Sequence, residues 1–348
     1  MTGRRKSQQL NIGGVVVGGD APVTVQSMTK TDTRNVDATV AQIRELAAAG
    51  CEIIRCGVPD LEAAEALRLI KQQSPIPVVA DIHFDYRLAL TAIECGVDAL
   101  RINPGNIGDA DRVKQVVKAA KERQTPIRIG VNGGSLPPDQ DPAKPLHRRM
   151  MEAAMSQVRL LESLDFGLIK ISLKAFDVPE TVAAYRMIAP LVPYPLHLGM
   201  TEAGTPRTGI IRSSVGIGAL LAEGIGDTIR VSLSAPPIEE VFAGYEILKS
   251  LDLRARGPVL ISCPSCSRTE VDVVALAEKV ADALLTVSKP IKVAVMGCAV
   301  NGPGEARDAD VGIACGKGHG ILFRRGQKVR VVTEADFFDA LLKEVENF

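Results

Sequence analysis

Eight short apolar runs recur along the chain up to about residue 235, and amphipathic stretches of helical period fill the gaps between them. The runs read PVTVQSM, EIIRCGV, PVVADIHF, ALRINPGN, PIRIGVNGG, GLIKISLKA, PLHLGMTEAG and TIRVSLSA, starting near residues 22, 52, 77, 99, 126, 167, 195 and 228. VDATVAQIRELAAAG (36–50) and DLEAAEALRLIKQQ (60–73) are two of the spacers, and Gly50 stands where a helix C-cap residue is expected. Strands rich in Ile, Val and Leu that alternate with helices predict an α/β fold, a closed parallel (β/α)8 TIM barrel. Ahead of it, LNIGGVVVGGDAPV carries the Gly-Gly and Gly-Asp turn signals of a short hairpin. One helical stretch over 238–250 follows the last run, and LDLRARGP reads as a linker near 252–257. The tail holds the runs PVLISC, IKVAVMGC, VGIACG and GILFRRGQKVRVV with helical stretches near 269–287 and 334–346, a second and smaller α+β domain. The expected boundaries are 1–252 for the barrel with its hairpin and 257–348 for the second domain.

Parity within the runs is informative, because alternate strand residues point to opposite faces. Leu100 and Ile102 share one face, with Arg101 and Asn103 on the other. Ile127, Ile129 and Val131 oppose Arg128 and Asn132; Ile169, Ile171 and Leu173 oppose Lys170, Ser172 and Lys174; Ile229, Val231 and Leu233 oppose Arg230 and Ser232. In a barrel the apolar set meets the surrounding helices, so the polar set points inward. That places Arg55, Arg101, Arg128, Lys170, Lys174 and Arg230 in the interior, where branched aliphatics are the rule. Asp81 can offset one or two of these charges. The remainder calls for an anionic ligand at the C-terminal mouth, where barrel active sites sit. The competing reading is an internal ion-pair network or a solvated face, but surface charge has no reason to follow strand parity across several strands.

Composition narrows the partners. Among 348 residues, Lys plus Arg and Asp plus Glu both number 41, so the net charge is zero and a dedicated nucleic-acid binder is disfavoured. Aromatics make up 3% and Trp is absent, which removes base-stacking platforms as well. No run of about 20 apolar residues exists to span a membrane, and the basic N-terminus lacks the apolar core of a signal peptide. A cytoplasmic protein is expected. Seven cysteines in such a chain read as reduced thiols or metal ligands rather than disulfides. Cys51, Cys56 and Cys95 lie in apolar segments and read as buried structural thiols.

The other cysteines fall in the last quarter. Cys263-x-x-Cys266 follows one predicted strand and Cys298 follows another, so three thiolates from neighbouring strand ends can converge on one metal centre. The second Cys-x-x-Cys of a zinc ribbon is absent. Cys315 lies beyond a further predicted strand, whereas Glu305 follows the sharp-turning NGPG. Three thiolates with one oxygen ligand describe a [4Fe-4S] cluster in which one iron holds its protein ligand more weakly than the others do.

CPSCSR, a cysteine followed by NGPGE, GMTEAG, RINPGN and EGIGDTIRVSL together resemble the 4-hydroxy-3-methylbut-2-en-1-yl diphosphate synthases of the methylerythritol phosphate route to isoprenoids, over essentially the whole chain. The resemblance implies reductive ring opening and dehydroxylation of 2-C-methyl-D-erythritol 2,4-cyclodiphosphate to 4-hydroxy-3-methylbut-2-enyl diphosphate. It implies electrons delivered by flavodoxin or ferredoxin through a [4Fe-4S] cluster on Cys263, Cys266, Cys298 and Glu305. It implies diphosphate binding by Arg55, Arg101, Arg128, Asn132, Lys174 and Ser232, and an acid, Glu202, near the reacting carbons. The family's homodimer, in which one chain's cluster domain covers the other chain's barrel, is likewise an expectation from resemblance. His83 and His197 lie near strand ends, where orienting substrate and filling the core are both open to them. Two readings from other classes compete: a zinc-dependent barrel transferase or hydrolase acting on a phosphorylated small molecule, and a non-enzymatic iron–sulfur electron carrier, which leaves the cationic barrel interior unexplained.

Overall fold

The computed structural model describes residues 3–102, 110–137, 140–298, 304 and 307–348. The chain divides into two compact units, one extending to Arg254 and the other beginning at Ala255.

In the first unit all eight apolar runs become strands of one parallel sheet: β3 (Thr24–Met28), β4 (Ile53–Val58), β5 (Val78–Ile82), β6 (Ala99–Ile102), β7 (Ile127–Asn132), β8 (Ile169–Lys174), β9 (His197–Leu198) and β10 (Thr228–Ile229). Neighbours pair in chain order, and β10 returns to β3. A parallel bridge between Ile171 and Leu196 joins β8 to β9 and closes the ring, as the expected TIM barrel requires. The crossovers are helices α1 (Val36–Ala49), α2 (Leu61–Gln73), α3 (Tyr86–Glu94), α4 (Ala110–Glu122), α5 (Leu146–Ser163), α6 (Val178–Ile188), α7 (Pro206–Ala222) and α8 (Pro237–Ser250). Local signals set their ends. Asn35 accepts from the Ala38 amide at the start of α1, and Gly50 ends it at φ 109°, a left-handed conformation that costs a glycine little. The outward strand residues, such as Ile54, Ala80, Leu100, Ile129 and Ile171, are buried against the helices.

The hairpin β1 (Leu10–Ile12) and β2 (Val15–Val17) is part of the barrel core. Its Ile12 and Val17 pack on Ile53, Val79 and Ala99, the first inward residues of β4, β5 and β6, and so plug the N-terminal end. Gly13 turns the hairpin at φ 56°, where a Cβ would come within 2.4 Å of the Asp98 carboxylate. The interior is thus closed below by apolar contacts, leaving the C-terminal end for chemistry.

Two strands are shorter than their sequence runs. β9 and β10 each pair over only two residues. At Gly199, just beyond β9, a Cβ would sit 2.5 Å from the Arg230 carbonyl oxygen and 2.7 Å from Lys174 Nζ, so the backbone closes in here to make room for a charged side chain.

The second unit is a five-stranded sheet in the order β11 (Val259–Ser262), β12 (Lys292–Met296), β13 (Val311–Gly316), β14 (His319–Arg324), β15 (Gln327–Thr333). The first three are parallel and the last two antiparallel, with α9 (Val273–Leu284) and α10 (Phe337–Glu346) packed on one face. GILFRRGQKVRVV, read as one strand, is a hairpin. Arg325 and Gly326 take positive φ, 46° and 74°, and two such residues make the tight turn that joins antiparallel strands.

Ile12→Ala is expected to lower the stability of the barrel by about 2–5 kcal/mol through the cavity it leaves in the plug. Urea denaturation of the purified protein measures the loss.

Candidate active site

Strand register builds the site. Asp81, Arg101, Arg128 and Lys170 are directly paired neighbours across β5, β6, β7 and β8, and all point into the barrel. Arg55 and Lys174 join them from β4 and β8, and Arg230 from the end of β10. The inward parity read from sequence therefore holds, and these cations are buried except Arg230, which is nearly so.

Their contacts are uneven. Asp81 takes Arg101 Nη1 at 2.9 Å and Arg55 Nε at 3.4 Å. Arg101 also donates to His83 Nε2 at 2.7 Å and to the Gly130 carbonyl at 3.2 Å. A Cβ at position 130 would lie 2.3 Å from Arg101 Nε, so that glycine lets the guanidinium lie flat across β7. Lys174 Nζ lies 3.1 Å from His197 Nε2, and His197 Nδ1 lies 2.6 Å from Thr228 Oγ1. Arg230 Nη2 reaches Glu240 of α8 at 3.3 Å. In contrast, Arg128 has no hydrogen-bond partner for any of its three guanidinium nitrogens among the described residues, although its exposure is only 2%. Lys170 Nζ and both amide atoms of Gln26 are also buried without a partner.

Electrostatics follow from that geometry. Among the described residues six cations, Arg55, Arg101, Arg128, Lys170, Lys174 and Arg230, face the buried carboxylates Asp81 and Glu240, while a third, Asp227 just before β10, is paired with Arg4 and Arg5 and also acts on Lys170. Burial, reinforced by neighbouring cations, pushes Arg55 down to about 10 and holds Arg128, Lys170 and Lys174 well below their usual values. His197 is held neutral by the same causes, burial first and Lys174 next. Burial alone would raise the Asp81 pKa, but Arg55, His83 and Arg101 together hold it well below the usual carboxylate range. Unpaired buried cations are costly, and an anion that accepts several strong hydrogen bonds relieves them.

The expected binding residues Arg55, Arg101, Arg128 and Lys174 are thus all buried and near enough for their charges to act on one another. Asn132 ends β7 and Ser232 lies beyond β10, both half-buried and on inward parity. Glu202 is exposed on the segment after β9 with φ 55°, a conformation uncommon for a non-glycine residue. Asn103, with the rest of 103–109, lies outside the described residues. Sequence parity did not reveal Glu240, Lys30 or Gln26 as members of the site. An acid in the first turn of a helix ordinarily reads as an exposed partner of the helix dipole, and only the turn of α8 into the wall buries this one.

The four expected metal ligands belong to the second unit. Cys263 follows β11 and Cys298 follows β12, the adjacent parallel strands, so both leave the same sheet edge. The Cys263 amide extends the ladder to Val295 at 3.0 Å, and the Glu270 amide bonds the Gly297 carbonyl at 3.3 Å, tying the loop of Cys266 to the strand end of Cys298. Cys298 is buried, Cys263 half-buried and Cys266 exposed. Bonds from Arg268 to the sulfur lower the Cys266 pKa and favour thiolate, the ligating form. Glu305 lies outside the described residues. Among the described residues no three His, Cys, Asp or Glu side chains are gathered into a metal-binding set. In chemistry the three thiols suit a soft metal centre, and the adjacent ends of β11 and β12 lie beneath two of them, Cys263 and Cys298. Cys315 does not, being buried in the core of β13 with its thiol pushed up to about 12 by burial. Cys51, Cys56 and Cys95 are buried, as expected of structural thiols.

Comparison with known proteins gives a consistent result. A description of the GcpE TIM-barrel domain matches residues 7–245, and one of the GcpE protein C-terminal domain matches 259–347. A protein of Dehalococcoides mccartyi, named 4-hydroxy-3-methylbut-2-en-1-yl diphosphate synthase (flavodoxin), is 65% identical over 345 residues, covering 99% of both chains. One of Geobacter sulfurreducens with the same name is 59% identical, covering 99% of this chain and 98% of its own. Among solved structures, dihydropteroate synthase from Stenotrophomonas maltophilia superposes with a TM-score of 0.54 at 16% identity, covering 71% of this chain and 97% of its own, a likeness of fold.

Lys170→Met, which replaces an unpaired buried cation by an apolar side chain of similar length, is expected to raise the thermal midpoint of the ligand-free protein. Arg101→Met, which takes from Asp81 its shortest ion pair, is expected to lower stability by about 3 kcal/mol or more. Calorimetric melting of the two variants beside the parent checks both signs.

Proposed function

The chain belongs to the GcpE family, and from that premise we infer that it is a 4-hydroxy-3-methylbut-2-en-1-yl diphosphate synthase, an iron–sulfur oxidoreductase of isoprenoid biosynthesis. It reductively opens and dehydroxylates 2-C-methyl-D-erythritol 2,4-cyclodiphosphate to 4-hydroxy-3-methylbut-2-enyl diphosphate. The observation that carries this reading is Arg128, a buried guanidinium whose three nitrogens have no hydrogen-bond partner among the described residues, set beside further inward cations. A cyclic diphosphate is a small polyanion whose oxygens would accept those donors.

In this reading Arg128 and Arg101 supply planar donor forks to the diphosphate oxygens, and Arg55 and Lys174 add charge. Asn132 and Ser232 donate further hydrogen bonds from the same inward parity. Opening the ring breaks the bond from carbon to the bridging phosphate oxygen and leaves negative charge on that oxygen, where the same cations stabilise it. Glu202, just past β9, delivers the proton with which the departing hydroxyl leaves as water. Cys263, Cys266, Cys298 and Glu305 would hold a [4Fe-4S] cluster in the domain from 257 to 348, and the barrel to 252 binds the substrate. When bound, the cluster supplies the two electrons of the reduction, one at a time. Flavodoxin, the donor in the relatives' names, or ferredoxin loads those electrons, and the working enzyme is a cytoplasmic homodimer.

Anaerobic incubation of the brown, cluster-loaded protein with the cyclodiphosphate and a reduced one-electron donor tests the reaction directly. A colourless protein of full activity would point to zinc instead. Arg128→Ala is expected to raise KM by ~100-fold, the loss of about two charge-assisted hydrogen bonds, and unchanged KM would remove Arg128 from the substrate site.

A further inference from the structure

Glu240 lies on the first turn of α8, immediately after Pro236 and Pro237, and is 1% exposed. It is a buried carboxylate, as Asp81 and Asp227 are, and has no part in the reading above. Its contacts come from two separate segments, the end of β3 with Lys30 beyond it and the stretch after β10. Oε1 accepts the Leu233 amide at 3.1 Å and lies 3.3 Å from Lys30 Nζ. Oε2 accepts Ser27 Oγ at 3.3 Å and Arg230 Nη2 at 3.3 Å. Lys30 also donates to the carbonyls of Leu233, at 2.8 Å, and Ala235.

These contacts sit where the barrel ladder stops. The last β3–β10 pair is Val25 with Ile229, and above it the Glu240 carboxylate and Lys30 hold the two chain segments together. Ser232 lies in the stretch they clamp, between Arg230 and Leu233. The grip on Arg230 is partial. Nη2 is engaged, while Nε is buried without a partner among the described residues, so the guanidinium is fixed and still has donors to give. Arg230 also lies close enough to Arg55 for their charges to oppose each other. A released Arg230 would therefore swing away from the cation cluster rather than into it.

We propose that Glu240 is a positioning residue for the diphosphate site: it clamps Arg230 and the Ser232 segment against the β3–β10 seam so that both present donors to the anionic substrate. This rests on the function inferred above. A carboxylate beside an anion site also repels the anion, but here two cations at 3.3 Å share its charge, so loss of position outweighs relief of repulsion.

The test is a double-mutant cycle on the cluster-loaded enzyme with Glu240→Gln, Arg230→Gln and the double variant. KM and kcat for the cyclodiphosphate are measured, together with pyrophosphate affinity by calorimetry. The clamp predicts that Glu240→Gln raises KM and the pyrophosphate Kd about tenfold with kcat within about twofold of wild type. It predicts that the double variant is no more than about twofold worse than Arg230→Gln, and that Glu240→Asp recovers part of the loss. Tighter pyrophosphate binding by Glu240→Gln, or losses that multiply in the double variant, would overturn it. If Glu240→Gln fails to fold, Lys30→Met removes one arm of the clamp. That variant is expected to raise KM about threefold at unchanged kcat, and an unchanged KM overturns the proposal. Pyrophosphate binding needs no turnover, so a wild type that binds pyrophosphate yet leaves the cyclodiphosphate intact counts against the function and leaves the clamp to be judged on affinity.

Discussion

An excess of buried positive charge organises the barrel. Among the described residues six inward cations outnumber the buried carboxylates Asp81, Asp227 and Glu240, at positions that other barrels fill with branched aliphatics. The apolar plug from the N-terminal hairpin keeps water out from below, which makes the cost of that charge high and its attraction for an anion strong. Gly130 and Gly199 are small because Arg101 and Lys174 must lie against them. His197 is neutral and serves Lys174 as a partner rather than adding another charge. Asp81 fixes Arg55 and Arg101, Glu240 fixes Arg230, and Arg128 has no hydrogen-bond partner among the described residues. Most of the wall cations are thus held in place by protein, whereas Lys170, like Arg128, has no such partner among the described residues.

Much of this was legible in the chain because a barrel strand separates its two faces with a period of two. Arg101, Arg128 and Lys170 each interrupt an otherwise aliphatic strand, and register then places them side by side without further information. What parity does not reach is anything contributed from outside the strand ladder. Glu240 comes from a helix, and its neighbours in sequence, Pro236 to Glu239, look like an ordinary helix start. The shortness of β9 and β10 was hidden for a related reason, since the runs continue apolar past the last ladder pair while the backbone departs to accommodate Lys174 and Arg230. The β14–β15 turn was hidden because Arg325 adopts a left-handed conformation without being Gly or Asn.

In the second unit the legible part is again strand order. Two parallel neighbours must end at the same edge, so Cys263 and Cys298 are brought to one place by the sheet itself, and the Glu270–Gly297 bond brings the Cys266 loop with them. The three cysteines differ in exposure, with Cys266 at the surface on its loop, Cys263 half-buried and Cys298 buried. In the barrel the difference is one of support. Arg55 and Arg101 ride on paired strands and are rigid, whereas Arg230 and Ser232 lie past the ladder on β10, where two-residue pairing gives little support. Donors that must meet several oxygens of one anion at once lose their advantage when one of them drifts, because positioning is most of what such a site contributes. The wall therefore needs a fastening above the last ladder pair, and Glu240 is the buried carboxylate that bonds both segments there.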